Sequence, residues 1–284
     1  MDEIAPGVFV ATSAVYLTTC TVVVGAGNGC LVIDPALTAA DVAGLGTWLR
    51  ARGLRPAVGW STHPHWDHVL WSDALGARVP RYATGRAVAV ADRARSALAD
   101  EMAAAAPGHD LALFGRLAPL PGAGDVIPWD GPEVRVVPHD AHAPGHGALF
   151  LPGQGILVAG DMLSDVEVPL LDLADADGCL GEAAAGPGEA ERKSPDPFGA
   201  YRAGLGLLAS LGSVGVRCIV PGHGHVGDRA QFRARVAADF RYLDLVEAGR
   251  DADDPRLGGP DAEWLRAEHA RQRELARGEL GQPN

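Results

Sequence analysis

The chain has 284 residues, of which 24 are basic and 36 acidic, giving a formal net charge of -12 and a pI near 5.2. Nucleic-acid affinity rests largely on Lys and Arg displacing counterions, so this balance predicts no nucleic-acid partner. Hydrophobic residues make up 47% and mean hydropathy is +0.05, enough for a substantial core. We expect one domain over 1–277 and a flexible tail at 278–284.

The sequence shows no feature typical of a membrane or secreted protein. No stretch approaches about 18 uninterrupted apolar residues, so we predict no membrane span. Residues 1–4 begin acidic and lack the positive region and apolar run of a secretory signal, so we expect a cytoplasmic protein. Four cysteines without metal-binding spacing are predicted to be reduced thiols: Cys20, Cys30, Cys179 and Cys218.

The first third of the sequence predicts short strands followed by a helix. Three strands are predicted, at 8–10, 16–24 and 30–33, and glycines between the second and third mark a tight connection. Residues 38–52 have apolar side chains at helical spacing. The next strand, 57–61, ends directly at a histidine cluster. We therefore place the cluster on a loop at the C-terminal edge of a strand, where α/β folds usually carry their chemistry.

The second half repeats this order after a helix at 84–105. It predicts strands at 134–137, 148–151, 156–159 and 216–220, and helices at 198–211, 231–247 and 261–277. The stretch 172–197 is rich in Ala, Gly, Asp, Glu and Pro, which predicts a long loop. It is either a solvated insertion or a segment that contacts substrate. Helices that follow strands in both halves indicate sheets covered by helices.

Residues 63–68, with the sequence His-Pro-His-Trp-Asp-His, place four metal-binding side chains within six positions. Imidazole and carboxylate suit zinc, and few protein ligands per metal leave room for a reactive water. Three later residues complete a possible site. They follow a predicted strand or a glycine-containing turn, and glycine lets the backbone pass close to a crowded site: His146, Asp161 and His223.

In that order, the HxHxDH cluster, a Pro-Gly-His, a Gly-Asp after an apolar strand and a final Pro-Gly-His-Gly resemble the metallo-β-lactamase superfamily. The resemblance covers about residues 8–250. It implies an α/β fold, a four-layer αββα sandwich with two internally duplicated halves. It further implies one metal held by His63, His65 and His146, a second held by Asp67, His68 and His223, and Asp161 as the bridge between them.

The third ligand of the first metal has a competitor. His142 lies four residues before His146, and a shifted assignment would make it the ligand. We favour His146 because it alone follows Pro-Gly, as the family pattern does. His225 either orients a ligand or is an exposed loop residue. Trp71 is predicted to pack in the core beneath the site, although it and Trp66 are also candidates to shape the pocket.

The resemblance implies a dinuclear zinc-dependent hydrolase of a small ester, thioester, lactone or amide. A hydroxide shared by two Zn²⁺ would be the nucleophile, with Fe or Mn as alternative metals. Asp161, as the bridge, and Asp67, as a ligand and proton shuttle, are the expected catalytic residues. The expected partner is a small-molecule substrate, and the chain is a candidate homodimer.

Several relatives fit less well. Lactonases carry a Tyr shortly after the bridging Asp, where this chain has Met-Leu-Ser, and the basic glutathione-binding region of thioester hydrolases has no counterpart here. A β-lactamase would work best outside the cytoplasm, which the absence of a predicted export signal disfavours, and nucleases are disfavoured by the negative net charge. The alternative from another class is a mononuclear non-haem iron oxidoreductase resembling persulfide dioxygenases, which bind one iron through two His and one Asp.

Overall fold

The computed structural model describes residues 1–122, 124–173, 194–259 and 262–278. Most of the loop predicted at 172–197, including Cys179, lies outside the described residues, as does the tail from 279 onward. The other three cysteines are free thiols.

The first half of the chain forms a seven-stranded sheet. β4 pairs in parallel with β5, and β5 to β7 are parallel to one another, whereas β1 to β4 pair antiparallel. The strand predicted from residue 16 starts only at Thr19, because Tyr16 and Leu17 have φ of 55° and 52°, a left-handed conformation that a strand cannot contain. In chain order and sheet order, the strands are β1 (Asp2–Ala5), β2 (Val8–Thr12), β3 (Thr19–Val24), β4 (Gly29–Ile33), β5 (Arg55–Trp60), β6 (Arg81–Ala83) and β7 (Ala118–Pro119).

The second half forms a five-stranded sheet with the order β12-β11-β10-β9-β8. β10 and β11 are parallel, and the remaining pairs are antiparallel. These strands are β8 (Arg135–His139), β9 (His146–Leu151), β10 (Ile156–Gly160), β11 (Cys218–Pro221) and β12 (Gly227–Asp228).

The helices begin at residues suited to capping. Thr38 accepts a hydrogen bond from Asp41 N–H at the start of α1, and Asp228 accepts one from Gln231 N–H at the start of α4. Among the described residues, no helix is both long and apolar enough to cross a membrane. The helices are α1 (Ala39–Ala51), α2 (Gly85–Ala105), α3 (Pro197–Val214), α4 (Arg229–Glu247) and α5 (Glu263–Ala276).

Alternation along the strands sorts the core into layers. In β4, Leu31 and Ile33 face the second sheet, where Leu149 and Val158 meet them. The intervening Val32 faces α1 instead. The second sheet in turn packs its outer face against α3, α4 and α5. The period of two along a strand thus produces helix, sheet, sheet and helix layers, and the predicted αββα sandwich of two halves is confirmed.

Parallel pairing brings the ends of strands together. β4 and β5 are parallel neighbours, so Asp34 after β4 and His63 after β5 emerge at one edge of the first sheet. β10 and β11 do the same for Asp161 and His223 in the second sheet. The chemistry-bearing loops therefore converge because of strand direction.

Backbone hydrogen bonds tie the two edges to each other. The N–H of Thr19 donates to the carbonyl of Gly222 at 2.7 Å, and the N–H of Gly147 donates to the carbonyl of Thr62 at 2.7 Å. Each bond joins a residue of the first half to one of the second. The two halves are held in register where the loops meet.

Candidate metal centre

The first group of side chains contains three imidazoles and a carboxylate. Nδ1 of His65 lies 3.1 Å from Nε2 of His63 and 3.1 Å from Nε2 of His142. Oδ2 of Asp161 lies 3.3 Å from the His63 nitrogen and 3.4 Å from the His142 nitrogen. These four residues come from loops after β5, β8 and β10, and they could hold one metal ion.

The second group contains Asp67, His68 and His223. Oδ2 of Asp67 lies 3.2 Å from Nε2 of His223 and 3.5 Å from Nε2 of His68. Asp161 contacts this group as well, since Oδ1 is 3.1 Å from Nε2 of His68 and Oδ2 is 3.4 Å from Nε2 of His223. Its two oxygens thus lie between the groups, as expected of a bridging carboxylate.

The prediction of His146 as the third ligand of the first group needs correction. His146 directs Nε2 to the carbonyl oxygen of Ala159 at 2.9 Å, and its ring stacks between His63 and His139. His146 is the first residue of β9 and pairs within the sheet. His142 lies on the loop before β9, and its side chain reaches the first ligand group. We therefore assign His142 to the ligand set in place of His146.

Hydrogen bonds on the outer nitrogens orient the imidazoles. Nδ1 of His142 donates to the carbonyl oxygen of Leu170 at 3.1 Å, and Nδ1 of His223 donates to that of Tyr16 at 3.0 Å. A nitrogen that donates to a carbonyl carries its proton outward, so Nε2 is left to bind a cation.

Asp34 orients two further imidazoles and was missed by reasoning from sequence. Its carboxylate accepts hydrogen bonds from Thr62 N–H at 2.8 Å, from the Thr62 hydroxyl at 2.6 Å and from Nδ1 of His68 at 3.0 Å. The Thr62 oxygen lies 3.0 Å from Nδ1 of His63, so the same chain of bonds reaches the first group. The available signal was an Asp directly after the apolar strand β4, whose neighbour β5 carries the cluster.

The donor set fits two divalent cations. Inward-facing imidazole nitrogens and carboxylate oxygens approach one another closely in both groups, and this donor chemistry suits zinc or iron. Oδ1 of Asp161 is buried, and among the described residues no contact of it, including that with Nε2 of His68, has the geometry of a hydrogen bond. A Cβ on Gly222 would lie 1.9 Å from that oxygen, so a residue without a side chain is required beside it.

Comparison with protein families decides the affiliation. Residues 14–223 match the model of the metallo-beta-lactamase superfamily, which is most of the chain. The chain belongs to the metallo-beta-lactamase superfamily. The resemblance drawn from the histidine motifs is therefore confirmed, and the family together with the His/Asp cluster supports a divalent-metal site.

Solved structures of the superfamily share the fold at low sequence identity. A metallo-beta-lactamase family protein from Thermus thermophilus, TTHA1429, superimposes with a TM-score of 0.64 at 19% identity, over 99% of this chain and 97% of that one. The B3 metallo-beta-lactamase BLEG-1 gives 0.56 at 17% identity, over 79% and 95% of the two chains. TTHA1623, solved in a di-iron-bound form, gives 0.54 at 23% identity, over 80% and 98%.

One curated relative is a hydroxyacylglutathione hydrolase from Rhodobacter capsulatus. It is 35% identical over 105 residues, which is 36% of this chain and 32% of that protein. The chain thus matches about a third of the relative's length.

The imidazoles of the two ligand groups have pKa values shifted in opposite directions by burial and by nearby carboxylates. Burial lowers the pKa of His65 to about 3 and lowers that of His63 well below its ordinary value. Burial also acts to lower the pKa of His68 and His223, but nearby carboxylates, Asp161 above all, raise it well above the ordinary value. The nearby carboxylates thus favour a proton on His68 and His223, which a cation bound there has to displace.

Glu167 is a buried carboxyl beside the second group that the sequence did not indicate. Oε1 lies 3.9 Å from Nδ1 of His223. Burial raises the pKa of Glu167 to about 7. The loop that follows β10 brings it to the site, and Glu167 N–H donates to the hydroxyl of Ser164, which itself donates to the carbonyl of His223.

The sequence also singled out His225, Trp66 and Trp71, and none of them belongs to a ligand group. His225 is exposed and pairs with Asp165 at 2.9 Å, so it does not orient a ligand. Trp71 is buried in the core with α1, as predicted, and its indole N–H donates to the carbonyl of Gly76. Trp66 packs at the edge of the same core and against residues of α2.

Proposed function

We propose that the chain is a dinuclear zinc-dependent hydrolase of a small ester, thioester, lactone or amide. The observation that carries this proposal is the pair of ligand groups that share Asp161. The first group holds His63, His65 and His142, and the second holds Asp67, His68 and His223. Membership in the metallo-beta-lactamase superfamily supports the same conclusion.

When bound, two divalent ions would supply a water acidified to near neutrality as the nucleophile and would polarise the scissile carbonyl. The protein residues hold and orient what is needed for this chemistry. Asp161 keeps its two oxygens between the groups. Asp67, near both His68 and His223, completes the second group through Oδ2. His65 and His142 face the adjoining cavity, where a substrate carbonyl would enter.

The completeness of both groups favours two metals over one. A mononuclear iron oxidoreductase needs two His and one Asp, which would leave the second group without a role. The metal identity is part of the proposal, since the donor set accepts iron as well as zinc and TTHA1623 binds two irons.

The substrate class is also part of the proposal. A hydroxyacylglutathione hydrolase acts on a thioester, which supports thioesters and related carbonyl compounds as substrates. Because the match spans about a third of that protein, its particular substrate is not carried over.

Metal analysis and a substrate screen test the proposal together. The purified chain, loaded with zinc, should contain two zinc ions per chain and hydrolyse at least one member of a set of p-nitrophenyl esters, thioesters, lactones and amides. One iron per chain with oxygen consumption on a persulfide would replace the hydrolase by the oxidoreductase. Asp161→Asn should lose the pair of ions, and retention of both with full activity would contradict the bridge.

A further inference from the structure

Thr19, the first residue of β3, holds the loop that carries a ligand of the second group. We call residues 221–224 the His223 loop. The Thr19 hydroxyl donates a hydrogen bond to the carbonyl of Pro221 at 2.6 Å, and the Thr19 N–H donates to that of Gly222 at 2.7 Å. Thr19 is buried, so a hydrogen bond removed there is costly to replace.

Ser164 holds the same loop from the second half of the chain. Its hydroxyl donates to the carbonyl of His223 at 2.8 Å and accepts from the N–H groups of Val166 and Glu167. Ser164 is also buried. The three consecutive carbonyls at 221, 222 and 223 therefore each have a donor from outside the loop.

The turn before β3 contacts the ligand directly. Nδ1 of His223 donates to the carbonyl of Tyr16 at 3.0 Å, and the N–H of Gly224 donates to that of Leu17 at 3.0 Å. Tyr16 and Leu17 have φ of 55° and 52°, which residues with a Cβ adopt when surrounding contacts hold them there. Thr19 follows at once and ties this turn to the His223 loop.

The His223 loop has little room to shift. The N–H of Gly222 donates to the carbonyl of Gly160 at 2.6 Å, and a Cβ on Gly222 would lie 1.9 Å from Oδ1 of Asp161. Nε2 of His223 is 3.4 Å from Oδ2 of the same Asp161. A displacement of this main chain would therefore move His223 relative to the other donors of the second group.

We propose that Thr19 and Ser164 are positioning residues for the second metal ion, because their hydroxyls fix the main chain from which His223 reaches it. The proposal rests on the dinuclear function proposed above and extends it to residues that are not themselves ligands. A ligand that is held in place before the ion arrives loses less conformational freedom on binding. The imidazoles of the first group lie on other loops and should be affected little.

Thr19→Val tests the proposal, because it removes the hydroxyl and keeps the shape of the side chain. The matched control is Thr21→Val on the same strand. Thr21 is also buried, and its hydroxyl has no hydrogen-bond partner among the described residues. In a two-site zinc titration against a chelator, Thr19→Val should raise the Kd of one ion at least about tenfold and that of the other less than about twofold. Thr21→Val should change neither.

Unchanged zinc affinity in Thr19→Val, or equal weakening of both ions, would overturn the role of Thr19. Ligand variants assign the affected ion. His142→Ala should retain the ion of the second group, and His223→Ala should retain that of the first. We expect Thr19→Val to weaken the remaining zinc about tenfold in the His142→Ala protein and less than about twofold in the His223→Ala protein. The opposite pattern would contradict an action through His223.

Two further variants test the hydroxyls themselves. Thr19→Ser keeps the hydroxyl and should restore the zinc affinity of the unmodified chain to within about threefold. Ser164→Ala should weaken the second ion about tenfold, whereas Ser210→Ala, which removes a hydroxyl that donates to a carbonyl within α3, should not. A Thr19→Ser protein as weak as Thr19→Val, or normal zinc affinity in Ser164→Ala, would exclude the hydroxyl concerned.

NMR of the metal-free protein separates this proposal from the proposed enzymatic function. The Nδ1 proton that His223 donates to Tyr16 should give a downfield resonance that is missing in His223→Ala. We expect this resonance in the unmodified chain and in Thr21→Val, and its loss in Thr19→Val. Its absence from the unmodified chain, or its persistence in Thr19→Val, would overturn the proposal even if the enzyme is active. Absence of hydrolysis with these zinc and NMR effects present would count against the proposed function alone.

Discussion

Nε2 of His142 lies 3.1 Å from Nδ1 of His65, whereas His146, four residues later, turns its Nε2 to the carbonyl of Ala159. The two histidines flank the same Ala-Pro-Gly turn and are chemically identical. Their surroundings differ: His142 lies in the first ligand group, whereas His146 is hydrogen-bonded within the second sheet. The distinction can be measured.

His142→Ala should reduce bound zinc from two ions toward one per chain and abolish most hydrolysis, because the first group loses one of its three imidazoles. His146→Ala should keep two zinc ions and lower the free energy of unfolding by about 2–4 kcal/mol, since it removes a buried ring. Elemental analysis and urea unfolding measure the two effects. Zinc loss confined to the His146 variant would return the ligand assignment to that residue.

Asp34→Asn should weaken zinc binding about 10- to 100-fold while preserving the stoichiometry at saturating zinc. The change keeps the shape of the side chain but removes the charge that accepts the proton of His68 Nδ1. Zinc affinity is measured by competition with a chelator. Asp41→Asn is the control, because Asp41 is hydrogen-bonded in the capping box of α1 and belongs to neither ligand group. Equal loss of zinc affinity in both variants would indicate a general effect on folding.

Metal-free protein should be most stable near neutral pH. His65 and His139 have pKa values lowered by burial to about 3 and about 4, below their unfolded value of 6.5, so their contribution is lost as the pH falls below 6.5. His68 and His223 have raised pKa values, so their contribution is complete below 6.5 and is lost as the pH rises through the folded pKa. Each such proton changes stability by up to roughly 1.4 kcal/mol per pH unit.

Urea unfolding at pH 5, 7 and 9, with chelator and with zinc, measures this dependence. Zinc replaces the protons of the second group, so the loss of stability between pH 7 and 9 should disappear when zinc is bound. Calorimetry in buffers of different ionisation enthalpy should show proton release on zinc binding. Metal-free protein that is equally stable at pH 7 and pH 9 would contradict the raised pKa values.

Arg256→Met should lower the free energy of unfolding by about 3–5 kcal/mol. Arg256 is buried and lies 2.6 Å from Asp239 and 2.8 Å from Asp254, so its removal leaves buried carboxylates without their cation. It also donates to the carbonyls of Ser164 and Glu167, on the loop after Asp161. We therefore expect weaker zinc binding as well.

Arg202→Met serves as the matched control for Arg256→Met. Arg202 pairs with Asp244 and Glu247 on the surface, where an ion pair contributes less than about 1 kcal/mol. Denaturant unfolding compares the two variants, and chelator competition reports zinc affinity. Similar, small losses of stability in both would mean that the buried network around Arg256 contributes no more than a surface pair.

Local patterns were sufficient for much of the fold. Apolar residues at helical spacing predicted α1, and an Ala- and Arg-rich composition predicted α2, each within one or two residues. Short apolar runs predicted β4 and β10. The prediction failed where backbone conformation depends on surroundings. Tyr16 and Leu17 read as part of a strand, but in the structure they form the turn whose carbonyls accept hydrogen bonds from His223 and Gly224.

The sequence by itself determined the superfamily and most of the centre, because the segment 63–68 carries four donors at fixed spacing and Asp161 and His223 each follow a predicted strand. Only the tertiary structure decided between His142 and His146. His146 belongs to strand β9 and its ring lies against the sheet, whereas His142 is on the loop before it and its ring reaches the ligand group. Asp34 and Glu167 likewise became visible only there. Their roles come from contacts between segments far apart in the chain, and no local pattern records such contacts.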